Sequence, residues 1–539
     1  MASDLTNEAI ADRLLAFAAL LELAESNPYA ARAYRRAADM IRATPAPVAQ
    51  LVRQGRARDL RGIGSGIEAR LRELVETGDL AELRELETEL QPELIGLGRL
   101  LGLSTRRILD IGATLDVRTL DDLRAAAAEG RLASVPGIGP STEARIRAAL
   151  AERPRPRQGL TLNRALELTQ AVARSLDGHP AGDARRLCEL SYDLAVVCAA
   201  DDPAPVLRGF SELPLIVAVI ESEKRRAVGV TVEGVPLAVV VAESRLLGTE
   251  LVRATGSAAY LESLEPLPAG RTEDEVFAKL GIPWRPPELR ELDAPDFSDE
   301  LLERDDIRGD LHCHTTWSDG RATVEEMGVA ARERGYEYLA ICDHTVSVRV
   351  VPGPDENDLR RQAEEIAEAN ERLAPFRILR GVECDILADG TLDIADGALA
   401  ELDWVQISLH AGQRRPRGEL TRAVCEAMRN PCACALSHPK GRILNRRPEN
   451  ALDLDAVFEV ALETGVALEI NGLPDRLDLS SAHAREALAA GVDVVVGSDA
   501  HSTRSLASIE LAVATARRAG ALRHQVRNTR ALSDLRAGG

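Results

Sequence analysis

The apolar positions along this chain change their period twice. From Glu8 to Leu23, and again from Tyr29 to Arg42, they recur at helical spacing, which predicts two amphipathic helices. Shorter helical patterns over Glu68–Glu76 and Thr142–Leu150 each follow a glycine-rich turn. The turns are Leu60-Arg-Gly62-Ile63-Gly64-Ser-Gly66-Ile67 and Val135-Pro-Gly137-Ile138-Gly139-Pro-Ser141, an internal repeat of one hairpin leading into a helix. After the linker-like Pro154-Arg-Pro-Arg-Gln-Gly159 the pattern is mixed. Runs at Leu194–Cys198, Leu215–Ile220, Ala227–Val232 and Leu237–Val241 predict strands, and Thr272–Leu280 a helix. From Ile307 onward, strand-like runs at 307–314, 338–344, 378–384, 403–410, 433–438, 466–471 and 492–499 alternate with amphipathic segments at 323–335, 357–373, 417–429, 453–464 and 481–490. Seven such repeats predict a parallel (β/α) barrel. The whole reads as a multidomain α/β chain with units at 1–90, 91–157, 158–265, 266–304 and 305–539.

Composition sharpens this in three ways. The formal charge of −20 argues against a generic nucleic-acid coat, but it is uneven. Residues 1–157 hold 23 Arg and no Lys against 23 acidic residues, whereas the remainder holds 43 basic against 63 acidic. The first third therefore tolerates a phosphate backbone best. There the hairpins Gly62-Ile63-Gly64 and Gly137-Ile138-Gly139 offer tight turns, close backbone approach and helix-start amides aimed at an anion. One copy reads equally well as an ordinary turn between helices. Two copies favour DNA, held by its backbone rather than its sequence. No apolar run approaches the roughly 18 residues of a membrane span, and the N-terminus lacks a signal pattern, so a cytoplasmic chain without a membrane partner is expected. Its eight cysteines are then expected to be reduced packing residues.

Six of the nine histidines fall at the ends of the barrel's apolar runs, beside acidic residues. His312 and His314 are two apart on a strand and face one side. Asp499 and His501 repeat that geometry if their strand continues to them. With Asp319, His344, Glu383, His410 and His438 there are nine candidate ligands, too many for one ion. Mixed nitrogen and oxygen donors suit two to three Zn²⁺, Mn²⁺ or Fe²⁺ ions rather than Ca²⁺. Each candidate lies at or just past a strand's C-terminal end, where such barrels carry their active sites.

The motifs Asp310-Leu-His-Cys-His314, Ser318-Asp-Gly320, Asp343-His344, Gly381-Val-Glu383, Ser408-Leu-His410, Ser437-His-Pro439 and Ser498-Asp-Ala-His501 resemble the polymerase-and-histidinol-phosphatase (PHP) family over about 305–520. The resemblance implies a distorted (β/α)7 barrel and three metal sets. These are His312, His314, Glu383 and Asp499; Glu383, His410 and His438; and Asp319, His344 and His501. Lys440 and Arg442 are placed to hold a phosphate, although a solvated basic loop fits them equally. Glu469, Asn471 and Arg476 match the pattern as supporting residues. Divalent ions in such a site lower the pKa of a water and neutralise charge developing on phosphorus, which leads to phosphoester hydrolysis.

The front half resembles family X DNA polymerases. The signs are Asn27-Pro-Tyr29 through Ala38, the two hairpins, Gly182-Asp-Ala-Arg185-Arg186, Thr255-Gly-Ser257 and Leu280–Arg290. Such a region fused to a PHP domain is the bacterial PolX arrangement. The palm departs from that family where chemistry is done. Its metal-binding carboxylates should include the position of Ala195, two past Asp193, and that of Ala238, and an acid, Asp183, stands where the triphosphate should bind. Arg70 replaces the lysine that a lyase needs, and Leu101-Gly-Leu-Ser104 keeps one glycine of a middle hairpin. The expectation is an inactive, degenerate palm followed by a thumb remnant, with a metal-dependent phosphoesterase working at DNA 3′ ends as exonuclease, 3′-end processor or abasic-site nuclease in repair. The rivals are a small-molecule phosphatase of the histidinol-phosphatase type and a DNA-binding scaffold with little turnover.

Overall fold

The computed structural model describes residues 5–24, 28–44, 46–60, 62–89, 91–151, 158–295, 300–348 and 351–535. Most of the linker expected at 154–159 lies outside them. The first stretch is helical as its period requires, with α1 (Asn7–Leu23), α2 (Pro28–Ala43) and α3 (Ser65–Thr77). Helix α1 starts at the side-chain cap of Thr6, and α3 ends at Gly78, whose left-handed φ of 81° stops it. The second hairpin leads into α4 (Pro140–Ala151), again as expected.

A mixed sheet follows, made of β1 (Gly178–Ala181), β2 (Leu194–Ala199), β3 (Ile216–Ser222), β4 (Arg226–Thr231) and β5 (Pro236–Ala242). Its order is β1-β2-β5-β4-β3, with β2 and β5 parallel and the other pairs antiparallel. The helices before it are not a separate bead. Their buried side chains, including Leu14, Phe17 and Ile41, share one apolar cluster with Val196, Leu237 and Val239 of the sheet. The helix Pro92–Leu100 lies so close to β3 that a Cβ on Gly96 would stand 2.2 Å from Val217. Only glycine fits that approach.

The last stretch forms β6 (Gly309–Cys313), β7 (Tyr338–Ile341), β8 (Arg377–Asp385), β9 (Trp404–Ser408), β10 (Ala435–Leu436), β11 (Ala467–Asn471) and β12 (Val494–Gly497). All seven are parallel and hydrogen-bonded in sequence order. The ring closes between Cys313 and Ala500, where the His314 amide donates to the Ala500 carbonyl at 2.8 Å. Helices at 324–333, 356–373, 417–428, 454–464 and 481–489 match the amphipathic segments. Six of the seven strands are shorter than their apolar runs, and only Arg377–Asp385 exceeds its own. Those at 338–344, 433–438 and 492–499 leave the ladder before their polar ends, at Ile341, Leu436 and Gly497. The freed amides find side chains instead: His438 donates to Glu469 at 2.8 Å and Ser498 to Asp310 at 3.1 Å. Asp499 and His501 therefore do not repeat the strand geometry of His312 and His314. Asp499 takes a left-handed φ of 51° in the turn after β12.

Candidate metal centre

The centre is built from strand ends upward. Asp310, wholly buried on β6, accepts the backbone N–H groups of His312 (3.2 Å) and Ser498 (3.1 Å), which pins the first strand to the last. Burial raises its carboxyl to about 6. His312 lies beside it on the lumen side. Its Nδ1 is 2.6 Å from Glu469 Oε1, which also accepts from Gln406 at 3.0 Å. With Nδ1 donating, the Nε2 lone pair is turned toward Glu383 and Asp499, at 3.5 and 3.8 Å.

Glu383, near the end of β8 and fully buried, is the hub. Its carboxylate lies 3.5 Å from His312, 3.7 Å from His314, 2.8 Å from His344, 3.6 Å from His410 and 2.9 Å from His438. Five imidazoles around one carboxylate leave it far below the usual range: burial alone would raise it, but His410, His312 and His344 outweigh that. Asp499 stands 3.0 Å from His314 and accepts from Asn471 at 3.0 Å. Asp319, in the loop after β6, lies 3.2 Å from His501 and 3.8 Å from His344. Burial raises Asp319, yet His501 holds it down to about 2; burial lowers His501, yet Asp319 and Asp499 carry it up to about 9. Burial, with His344 and His501 close by, pushes His314 down to about 3, so its imidazole is neutral and offers a lone pair.

Three donor sets converge here within 4.8 Å each: His314, Asp319, His344 and His501; His312, His314 and Asp499; and His344, Glu383 and His410. Eight of the nine expected residues fall in these sets, and the ninth, His438, stands 2.9 Å from Glu383. The division differs from the expected one: His314 joins Asp319, and His344 reaches both outer sets. The donors fit cations on the molecule's own showing. Nε2 of His312, Nδ1 of His314, His344 and His438, and Oε2 of Glu383 are buried without a hydrogen-bond partner. His344 Nδ1 and Glu383 Oε2 are only 2.8 Å apart, yet not in hydrogen-bond geometry. Each unpartnered buried group costs about 1–3 kcal/mol. Three of them meet, with His312 Nε2 and His344 Nδ1 at 3.5 and 2.8 Å from Glu383 Oε2, an arrangement that makes sense when a positive ion meets them. His438 and Asp499 hold left-handed φ of 27° and 51°, strain of the kind that functional turns retain.

Sequence reasoning missed Asp385 and Gln406. Asp385 is 2.9 Å from His410 Nδ1 and orients that ring; Gln406 braces Glu469. The available signal was the even spacing from Glu383 to Asp385 on one strand, which puts both on one face. Lys440 and Arg442 are buried and engaged within the protein. Lys440 Nζ donates to the Leu452 carbonyl at 3.0 Å, and Arg442 donates to the Arg476 carbonyl at 3.0 Å and pairs with Glu189 at 2.9 Å.

At the hairpins, Ile63 and Ile138 turn inward, 6% and 4% exposed, while Gly62, Gly64, Gly137 and Gly139 are exposed. Gly62 and Gly137 need φ of 93° and 84°, whereas a Cβ on any of Gly62, Gly64, Gly137 or Gly139 would meet nothing within 4 Å. In the mixed sheet Ala195 and Ala238 are register partners, both 8% exposed, and Asp193 is exposed just before β2. The Asp183 carboxylate accepts from the amides of Tyr192 (2.7 Å) and Asp193 (3.0 Å) and pairs with Arg186. Arg70 pairs with Glu73 at 2.9 Å and with Glu82.

Comparison with known proteins gives the same two ends. Residues 5–80 match the model of a helix-hairpin-helix domain, and residues 310–472 that of the PHP domain. The second match stops short of Asp499 and His501, which the fold brings back to the cluster. The DNA polymerase/3′-5′ exonuclease PolX of Bacillus subtilis (strain 168) is 32% identical over 96% of this chain and 97% of its own length. A probable phosphatase of Syntrophotalea carbinolica is 32% identical over 41% of this chain and 90% of its own. Another, from Acetivibrio thermocellus, is 34% identical over 36% and 78%.

Proposed function

The chain belongs to the PolX family, with its helix-hairpin-helix domain toward one end and its PHP domain toward the other, and from that premise we propose that it hydrolyses phosphoesters at DNA 3′ ends while its palm makes no DNA. The observation that carries the reading is the Glu383 hub, five imidazoles about one buried carboxylate, with the unpartnered His312 Nε2 and His344 Nδ1 facing the unpartnered Glu383 Oε2. Divalent ions held there would supply an activated water and offset the charge that develops on phosphorus. The chain's own part is to fix the donors. Glu469 and Asp385 set the tautomers of His312 and His410, Asn471 aims Asp499, and His314 stays neutral. The family fits Zn²⁺, Mn²⁺ or Fe²⁺, two or three to a molecule, and the hairpins fit a DNA backbone as the partner.

The palm reading rests on Ala195 and Ala238, which face each other across β2 and β5 where two metal-holding carboxylates should be. Asp193 alone does not make a two-metal site, and Asp183 presents a carboxylate, committed to Arg186 and two amides, where a triphosphate would come. A second reading, a small-molecule phosphatase, has its own support in the relatives named as probable phosphatases, whose similarity covers 41% and 36% of this chain.

One experiment separates them. Full-length protein with Mn²⁺ or Zn²⁺ is offered 3′-labelled DNA, histidinol phosphate, and a primed template with nucleotides. The expected result is shortened DNA, little turnover of the small ester and no primer extension. His314→Ala with Asp499→Ala should lose at least about a hundredfold of the DNA activity and bind less metal, since even supporting residues of metal ligands carry about 10–100-fold. Full turnover and metal content in that variant would sink the site, preference for the small ester would favour the second reading, and primer extension would overturn the palm assignment.

A further inference from the structure

A seam runs between the helix-hairpin-helix region and the barrel, and it is lined by arginines that the metal centre does not use. One cavity of about 1110 Å³ has Arg36 and the hairpin's Gly62 on one side and Arg321, Thr503 and Arg504 on the other. A second, of about 600 Å³, is lined by Arg32, Arg36, Arg174 and Arg504 among others. Arg36 and Arg504 belong to both, so the cavities meet there. Both residues are exposed.

The barrel side of this seam is carried by the loops that hold metal ligands. Arg321 is two residues past Asp319, and its amide donates to the His501 carbonyl at 2.9 Å. Arg504 is three residues past His501. Through Arg36 and Arg504 the second cavity joins the first, whose Arg321 and Arg504 stand two and three residues from Asp319 and His501 in the same loops.

The positive charge here is in excess. Other arginines of the second cavity have acids of their own: Arg35 pairs with Glu22, Arg42 with Asp12, and Arg164 with Glu167 and Glu233. Arg36 is instead held below its ordinary value, first by burial and then by Arg504 and Arg32, with only Glu167 opposing. The first cavity also has acids, Glu325, Glu326 and Glu333. Glu325 is taken by Arg372 at 2.9 Å, and Glu326 caps the Thr323 amide at 2.9 Å. Together the two cavities are too long and open for one free phosphate. Guanidinium groups spaced along a seam, beside a hairpin with open backbone, suit a run of phosphates.

We propose that this seam is the track by which one DNA strand enters the metal centre, its phosphates held by Arg36 and Arg504 at the junction and by Arg321 at the mouth. The inference rests on the DNA phosphoesterase reading and gives it a direction, from the first hairpin to the edge of the cluster at Asp319. Recognition is through the backbone, so it is blind to sequence and sensitive to salt.

The test uses the full chain and a single-stranded oligonucleotide with phosphorothioate linkages and a fluorescent 5′ label. Binding is followed by anisotropy as salt is raised from about 50 to 200 mM. Arg36→Gln with Arg504→Gln should bind more weakly, with a salt slope shallower by about 1.4, at about 0.7 per lost single-strand contact. Arg36→Lys with Arg504→Lys should restore the slope, because the charge returns; a merely structural role would not be rescued so. Arg360→Gln, on an outer barrel helix, should leave the slope alone. An unchanged slope in the double glutamine variant overturns the track, as does an equal change in Arg360→Gln, which would mean a diffuse field. If the parent chain cleaves no DNA at all, the phosphoesterase reading falls, and the salt slope still decides whether the seam holds a strand.

Discussion

Replacing Gly64 and Gly139 by asparagine should separate folding from DNA binding. Gly64 caps α3 with φ −86° and ψ 174°, an extended conformation that any residue adopts, and it supplies no side-chain cap. Gly139 has no left-handed φ, and its carbonyl accepts the Glu143 amide at 3.0 Å at the start of α4. A Cβ at either meets nothing within 4 Å. Asparagine is a better N-cap than glycine and reduces the freedom of the unfolded chain, so stability should hold or rise by up to about 1 kcal/mol per site. The added side chain nevertheless stands where a phosphate must approach. Losing one hydrogen bond to a charged group is worth about 1.5–3 kcal/mol, roughly ten- to a hundredfold in affinity. Asparagine is neutral, so the general field of the protein is unchanged. The assay is a thermal melt beside anisotropy with labelled duplex. Gly62→Ala with Gly137→Ala is the mirror control: their φ of 93° and 84° should make alanine cost about 1–2 kcal/mol each. A double asparagine variant that melts like the parent and binds duplex as tightly would refute the hairpins as a DNA contact.

Two further outcomes follow from side chains that only the structure reveals. Asp385→Asn should weaken metal binding or DNA hydrolysis about 10–100-fold by freeing the His410 ring, which equilibrium dialysis and single-turnover cleavage would read; unchanged values would mean that the 2.9 Å contact orients nothing. Glu273→Ala should destabilise the chain by about 3–5 kcal/mol in urea unfolding, because one buried carboxylate serves both Arg185 (2.7 Å) and the wholly buried Arg290 (2.5 Å); a loss below about 1 kcal/mol would mean that the two arginines find other partners.

Much of the barrel was legible because each strand is a short apolar run that ends in its own polar residue. The chain announces where a strand stops and which side chain comes next, so His312, Glu383 and His410 could be named without coordinates. The grouping of donors was not legible. His344 reaches Asp319 and Glu383 alike because of where its loop turns, and no spacing encodes that. Gln406 and Asp385 were hidden for a different reason: even spacing puts Asp385 on the face of Glu383, but it does not say that Asp385 meets His410 or that Gln406 meets Glu469. Ile63 and Ile138 sit between glycines and invite reading as part of a contact, whereas their apolar area decides for the core. Lys440 and Arg442 belong to a polar loop by sequence. Their burial depends on the carbonyls of Leu452 and Arg476 and on Glu189 from the distant sheet region, partners that only tertiary packing supplies.

The contact between Arg442 and Glu189 is one of several that tie the barrel to the middle of the chain. Glu189 also accepts the Ser481 amide, Arg518 of the barrel's last helix donates to the Arg186 carbonyl at 2.8 Å and to Glu291 at 2.8 Å, and Arg517 pairs with Glu288 at 2.6 Å. Whatever the mixed sheet does with nucleotides, the barrel leans on it. Glu189, Glu288 and Glu291 each meet a barrel arginine, whereas Ala195 and Ala238 lie in a buried apolar cluster of the sheet itself. A deletion that trimmed the middle of the chain would strip the partners from three barrel arginines at once, Arg442, Arg517 and Arg518, so the barrel's stability depends on residues far from its own strands.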